Sequence, residues 1–340
     1  MTIFDGHNDA LTSAEATAIA SGRDEGHLDI PRAAEGGLAG GIFAVFVDSV
    51  EDTFEGIEMS AGGYDVPLPS PVPHEDALAA AAAYAARLFT LEAAGAVRVV
   101  RSTADLDLSR EDGRLAAVLH LEGAEAIDRD LSNLEDWYAA GLRSIGPVWS
   151  RPNDFAHGVP FRFPSSPDTG PGLTPAGERL VRRCNDLGIA LDLSHLNEQG
   201  FWDVARVSVA PLIASHSGAH ALCASSRNLT DEQLTAIATT EGLVGVVFAV
   251  PFLREDGADD TDTPLDVIVR HVRYIAGLIG VDHVGLGSDF DGAGIPEELG
   301  DVTGLPRLLD ALRADGFTED EVERIAWGNW RRVLGASWSA

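Results

Sequence analysis

Thr2-Ile3-Phe4-Asp5-Gly6-His7-Asn8-Asp9 runs from a short apolar strand straight into acids and amides around one imidazole. His7 and Asp9 are two apart, so on extended backbone both side chains leave the same face. One imidazole nitrogen and one carboxylate oxygen can then converge on a single borderline metal such as zinc. A His-x-Asp pair alone is more often a solvated turn, so its meaning depends on where the other strands end.

Apolar, β-rich runs recur at residues 2–6, 41–48, 115–121, 142–148, 189–193, 211–215, 243–249 and 283–287. Helix-like stretches lie between and after them, at 75–94, 133–140, 174–187, 197–207, 230–239, 265–278 and 319–334. Eight strands alternating with helices predict an α/β fold, a (β/α)₈ TIM-type barrel, better than a doubly wound sheet. Most of the runs are nearly continuous in apolar residues, as parallel strands covered on both faces should be. No linker or shift in composition marks a boundary, so residues 1–340 read as one domain. Two long loops rich in Gly and Pro, 52–73 and 151–175, follow the carboxyl ends of strands, where a barrel carries its active-site loops. The acidic run 255–260 reads as a solvated loop.

Composition narrows the function classes. The 340 residues are 45% hydrophobic, and the mean hydropathy near zero is that of a globular protein. No stretch approaches the ~20 apolar residues of a membrane span. The N-terminus has neither a basic nor an apolar signal region, so no export signal and a cytoplasmic location are expected. A net charge of −30 argues against nucleic-acid and anionic-membrane partners. The chain has no lysine, and all 24 of its basic residues are arginine. That excludes Schiff-base chemistry, a phosphate-loop lysine and a carbamylated-lysine metal bridge. Cys184 and Cys223 read as small buried hydrophobes rather than a disulfide.

The polar residues fall at the strand ends. Five strands terminate in Asp5-Gly6-His7-Asn8-Asp9, His120-Leu121-Glu122-Gly123, Asp192-Leu193-Ser194-His195, Ala214-Ser215-His216-Ser217 and Gly287-Ser288-Asp289-Phe290-Asp291-Gly292. Bare buried charges on five strands would each cost several kcal/mol unless paired or metal-bound, so the set reads as a metal site. His7, Asp9, His195 and His216 supply three imidazoles and a carboxylate, and Glu122 can bridge with its two oxygens. The ligand number suggests two divalent ions, which would make a bridging hydroxide near pH 7. Asp289 is the additional acid, placed to accept that proton and return it to a leaving amine. This is hydrolytic machinery.

These motifs, together with His216-Ser217-Gly218-Ala219-His220-Ala221-Leu222-Cys223-Ala224-Ser225-Ser226-Arg227-Asn228, resemble the renal (membrane) dipeptidase family of the amidohydrolase superfamily. The likeness spans nearly the whole chain in order. It implies a distorted (β/α)₈ barrel with two zinc ions that cleaves dipeptides, often with a D-residue at the C-terminal side. It assigns one zinc to His7, Asp9 and Glu122 and the other to Glu122, His195 and His216. It also implies that Asp289 transfers the proton and that Arg227 grips the substrate's terminal carboxylate, for which a guanidinium fork is the natural partner. It suggests a homodimer. One position departs from the family: where a histidine usually holds the scissile carbonyl oxygen, Gly141-Leu142-Arg143-Ser144-Ile145-Gly146-Pro147-Val148-Trp149 places Trp149. An indole N–H donates one hydrogen bond and cannot become cationic. His157, eight residues on, is the other candidate for that role, against a reading as a surface loop histidine.

Three functions stay open. The first is a binuclear zinc dipeptidase acting on short peptides such as L-Xaa-D-Xaa. The second is an amidohydrolase for another bond, such as an N-acyl amino acid or a lactone, and the third a non-catalytic metal-binding barrel. The donor set also accepts manganese, cobalt or iron. His120 points into the barrel; His27, His74, His220, His271 and His283 read as loop or helix residues. Trp327, Trp330 and Trp338 read as packing or a subunit contact.

Overall fold

The computed structural model describes residues 1–13, 15, 18–49 and 57–338. Eight parallel strands form its centre: β1 (Ile3–Asn8), β2 (Leu38–Phe46), β3 (Leu115–Glu122), β4 (Leu142–Gly146), β5 (Ala190–Leu191), β6 (Ile213–Ser217), β7 (Leu243–Val246) and β8 (Val284–Leu286). Their order in the sheet is β5-β4-β3-β2-β1-β8-β7-β6, so every strand pairs with its neighbour in sequence. The two outer strands meet through a parallel bridge, Asp192 to Ile213, which nearly closes the (β/α)₈ barrel. All eight expected runs are strands, with ends moved by a few residues. β5 shrinks to two residues and the short strand Val97–Val99 is additional; it pairs along β3 below the start of β4.

The helices between the strands begin and end where local chemistry dictates. In Pro175–Leu187 the Thr174 hydroxyl accepts the Gly177 N–H at 3.1 Å, Pro175 sits in the first turn, and Gly188 ends the helix at φ 70°. Its buried face of Leu180, Val181 and Cys184 lies against the sheet. Cys184 and Cys223 are both free and buried, as expected. Among the described residues no helix is long and apolar enough to cross a membrane.

The lumen holds a separate core at its N-terminal end. Phe4, Ile42, Val118, Ile213 and Leu243 point inward and meet Trp327 and Trp330 from the C-terminal helical region. Trp330 donates its indole N–H to the Leu286 carbonyl at 2.9 Å. A Cβ on Gly285 would stand 2.5 Å from the Trp330 indole nitrogen, and one on Gly6 2.3 Å from its ring. Glycine is required at both positions for this close approach. The tryptophans therefore plug the barrel of their own chain.

Two features re-aim the strands. Between Asp5 and Asn8 two residues of β1, Gly6 and His7, oppose one of β2, and between Ala214 and Ser217 two residues of β6, Ser215 and His216, oppose one of β7. Each extra residue shifts the inward phase, so Phe4 and His7 both reach the lumen, as do Ile213 and His216. The two long loops are joined by an antiparallel ribbon, Tyr64–Val66 with Phe161–Phe163. The part of the first loop at 52–56 lies outside the described residues.

Candidate metal centre and active site

The carboxyl ends of the strands converge where the sequence motifs place them. β3 presents His120 and Glu122 inward, in phase with Val118. β1 and β6 present His7 and His216 after their bulges, and the turns after β5 and β8 carry His195 and Asp289. His7, His195 and His216 are at most 4% exposed, and Asp9, Glu122 and Asp289 at most 9%.

Two groups of donors share one carboxylate. His7 Nε2 stands 3.5 Å from Asp9 Oδ2 and 3.6 Å from Glu122 Oε1. The same Glu122 oxygen lies 3.0 Å from His195 Nε2 and 3.6 Å from His216 Nε2. Two donors each about 2.1 Å from a tetrahedral ion stand about 3.4 Å apart, so both groups are spaced as metal ligands are. Neither ring nitrogen of buried His7 has a hydrogen-bond partner, and Asp9 Oδ1 has none either. Orphaned donors at metal-ligand spacing, aimed at one another, fit a metal ion better than a hydrogen-bonded core.

Neighbouring hydroxyls aim the imidazoles. The Ser150 hydroxyl lies 2.9 Å from His195 Nδ1. His216 Nδ1 donates to the Ser215 hydroxyl at 2.8 Å, and that hydroxyl donates to Asp192 Oδ2 at 2.5 Å. This order fixes the His216 proton on Nδ1 and leaves Nε2 as a free lone pair. Burial, and then the Arg227 charge, pushes the His195 imidazole down to about 4. Burial opposes ionisation of Glu122, yet the imidazoles of His7 and His195 hold its carboxyl well below the usual range. Burial also pushes His216 down, whereas His7, despite its burial, is held well above the usual imidazole range by Glu122 and Asp9; a divalent cation among these donors would take the place of that proton. His120 is buried one layer below, its Nδ1 2.9 Å from the Ser144 hydroxyl.

A cleft of about 910 Å³ opens above these residues. Asp289 and Arg227 line it. Burial first and Asp9 second push the Asp289 carboxyl up to about 7. Arg227 is 4% exposed, donates to the His216 carbonyl at 3.3 Å and lies 3.2 Å from His195 Nε2. Its Nε has no partner, and no carboxylate pairs with it among the described residues. Asp289 and Glu122 act on this guanidinium only at longer range, and with no carboxylate in contact it is suited to an incoming anion.

Trp149 also lines the cleft, its ring 5.7 Å from that of His195 and 4.8 Å from that of Phe46. His157 does not line it; the side chain is half-buried against Gly170. The acidic run read as a solvated loop is corrected in part: Ala258 is buried, and Ala258, Asp259 and Asp260 form one rim of the cleft. Ser150 and Ser215 were not anticipated, because a hydroxyl that orients an imidazole carries no signal in a single sequence. His271 lies in the helix Asp266–Ile279, buried and held at both ring nitrogens.

The comparisons agree with this geometry. A metallopeptidase from Rhodobacter sphaeroides, whose crystal structure holds a phosphinate mimic of the dipeptide L-Ala-D-Ala, is 48% identical. It superposes with a TM-score of 0.96 over 99% of each chain. The solved structure of dipeptidase AC, a metallopeptidase of family M19, is also 48% identical, with a TM-score of 0.94 over 100% of this chain and 99% of that one. A Klebsiella pneumoniae protein, described as an uncharacterized protein in the pqqA 5′ region, is 53% identical over 245 residues, 72% of this chain and 90% of its own. The membrane dipeptidase model, peptidase family M19, matches residues 1–338, and the chain belongs to this family of metal-dependent dipeptidases.

Proposed function

We propose that the chain hydrolyses free dipeptides of the L-Xaa-D-Xaa type with two zinc ions, acting as one catalytic domain. The observation that carries the reading is the single Glu122 oxygen shared by two ligand groups. His7, Asp9 and Glu122 would hold one ion, and Glu122, His195 and His216 the other. When bound, such ions supply Lewis acidity toward a carbonyl oxygen and lower the pKa of a nearby water.

The chain's own residues do the rest. Arg227 pairs with the terminal carboxylate of the substrate, which restricts the enzyme to short peptides. Trp149 donates its indole N–H toward the scissile carbonyl; His157, away from the cleft, takes no part. As the C–O bond forms from water and the C–N bond breaks, Asp289 takes the water's proton and delivers it to the leaving amine. The stereochemical preference is supported by the dipeptide mimic bound to the R. sphaeroides relative.

The test is a panel of L-Xaa-L-Xaa and L-Xaa-D-Xaa dipeptides with and without added zinc, beside N-acetylated and C-amidated forms. Zinc-dependent cleavage of free dipeptides, lost on C-amidation, is the expected result. Cleavage of N-acyl amino acids but not of dipeptides would overturn it.

A further inference from the structure

Four carboxylates that hold no ion in this reading also line the cleft: Asp48, Glu58, Asp259 and Asp260. Asp48 accepts the Tyr84 hydroxyl at 2.8 Å, and Asp260 lies 3.7 Å from an Arg254 nitrogen. Glu58 and Asp259 have no ion pair among the described residues. Every arginine and histidine of the chain is described, because residues 14, 16, 17, 50–56, 339 and 340 include none. No side-chain cation of this protein therefore pairs with Glu58 or Asp259.

Acids at a surface say little on so acidic a chain. The second, independent observation is Arg227 on the floor of the same cleft, 4% exposed, with Nε unpartnered. The cleft thus has a buried cation at depth and unpaired anions at its mouth. It is polarised for a ligand with a carboxylate at one end and positive charge at the other.

One wall sets the spacing. A Cβ on Gly292 would stand 2.3 Å from Asp9 Oδ2 and 2.6 Å from Asp289 Oδ1, and one on Gly294 would stand 3.2 Å from Asp259 Oδ1. Gly292, against the reacting groups, and Gly294, against Asp259, are two residues apart, so their Cα atoms stand at most about 7 Å from one another. The long flexible stem of a lysine or arginine can extend along this wall toward Asp259. The Asp259 N–H donates to the Met59 carbonyl at 2.7 Å, which ties the segments carrying Glu58 and Asp259 together.

We infer that the cleft selects dipeptides whose N-terminal residue carries a cationic side chain, with Glu58 and Asp259 setting that preference. The inference rests on the reading of Arg227 as the anchor of the substrate's carboxylate. The acids at the mouth contribute long-range attraction and a partly solvated ion pair, which discriminates charge without demanding one fixed geometry.

The experiment compares arginyl-alanine with citrullinyl-alanine, a neutral isostere, with alanine in both configurations and alanyl-alanine as a reference. The arginyl peptide is expected to exceed the citrullinyl one about tenfold in kcat/KM at low salt. That ratio should fall toward one in 1 M salt and in the double variant Glu58→Gln, Asp259→Asn. The salt series needs no variant, so it stands even if the double variant does not fold. Cleavage of alanyl-alanine with equal rates for the arginyl and citrullinyl peptides overturns the inference alone. An arginyl preference that survives both salt and the double substitution also overturns it. A wild type that cleaves none of these peptides overturns the dipeptidase reading beneath it.

Discussion

The two ends of the barrel lumen are built from the same strands and share almost no chemistry. Along β3, Ala116 and Val118 face the apolar floor, and His120 and Glu122, the next two inward positions, face the charged mouth. At the floor Phe4 meets Trp327 edge-on at 5.9 Å and Trp330 at 5.6 Å, and the Trp330 indole N–H is satisfied by the Leu286 carbonyl. At the mouth, buried donors stand unpartnered. Burying unpaired polar groups costs free energy, and the apolar floor supplies stabilisation that offsets it. Of the five described non-glycine residues with positive φ, His195, Asp289 and Asp291 lie at the mouth, where backbone strain accompanies function. Stability and chemistry are thus separated along single strands by a few residues.

That separation can be attacked from either end. The largest effect is expected at the mouth. Glu122→Gln should lower kcat/KM on the order of a thousandfold with little change in the thermal transition of the metal-depleted protein; a variant that keeps wild-type activity would break the comparison. At the floor, Trp330→Ala should cost about 3–5 kcal/mol of stability, read from denaturant unfolding. The kcat of the molecules that remain folded should be unchanged.

An intermediate effect is expected from His271, which belongs to neither end. Its Nδ1 accepts the Ala219 N–H at 3.0 Å, so its Nε2 donates to the Leu253 carbonyl at 3.1 Å, and a second proton would face the Ala219 N–H. Burial pushes the imidazole down from 6.5 to about 4. Between those values the unfolded chain binds the proton and the folded chain does not. The contribution is fully present above about pH 6.5, and stability falls as pH drops toward 4, by about 3 kcal/mol in all. Unfolding free energies across that window should show a shallower slope in His271→Gln than in the wild type. The smallest effect is expected from Ser150→Ala, which frees the His195 ring and should weaken metal binding about 10- to 100-fold, measured by competition with a chelator.

Much of this division was legible beforehand. Continuous apolar runs ending in acids and imidazoles place a polar mouth on an apolar barrel, and His7, Asp9, Glu122, His195 and His216 do meet. What could not be read were events that change phase or close distance in space. The bulges in β1 and β6 leave no mark in the residue types, so alternation alone would put Phe4 and His7 on opposite faces. The ribbon that joins the two loops pairs Tyr64 with Phe163 across almost a hundred residues. The plug is also non-local: Gly6 and Gly285 have meaning only once Trp330 lies between them. His157 and Trp149 stand eight apart in sequence, and only the fold separates the one that lines the cleft from the one that does not.

The central claim is that the mouth is a two-ion hydrolytic centre sharing Glu122. Its most direct test titrates zinc into metal-depleted protein while following both bound metal and dipeptide hydrolysis. Two equivalents bound per chain, with activity still rising as the second equivalent binds, is the result expected. Full activity at one equivalent, or hydrolysis with none, would contradict it.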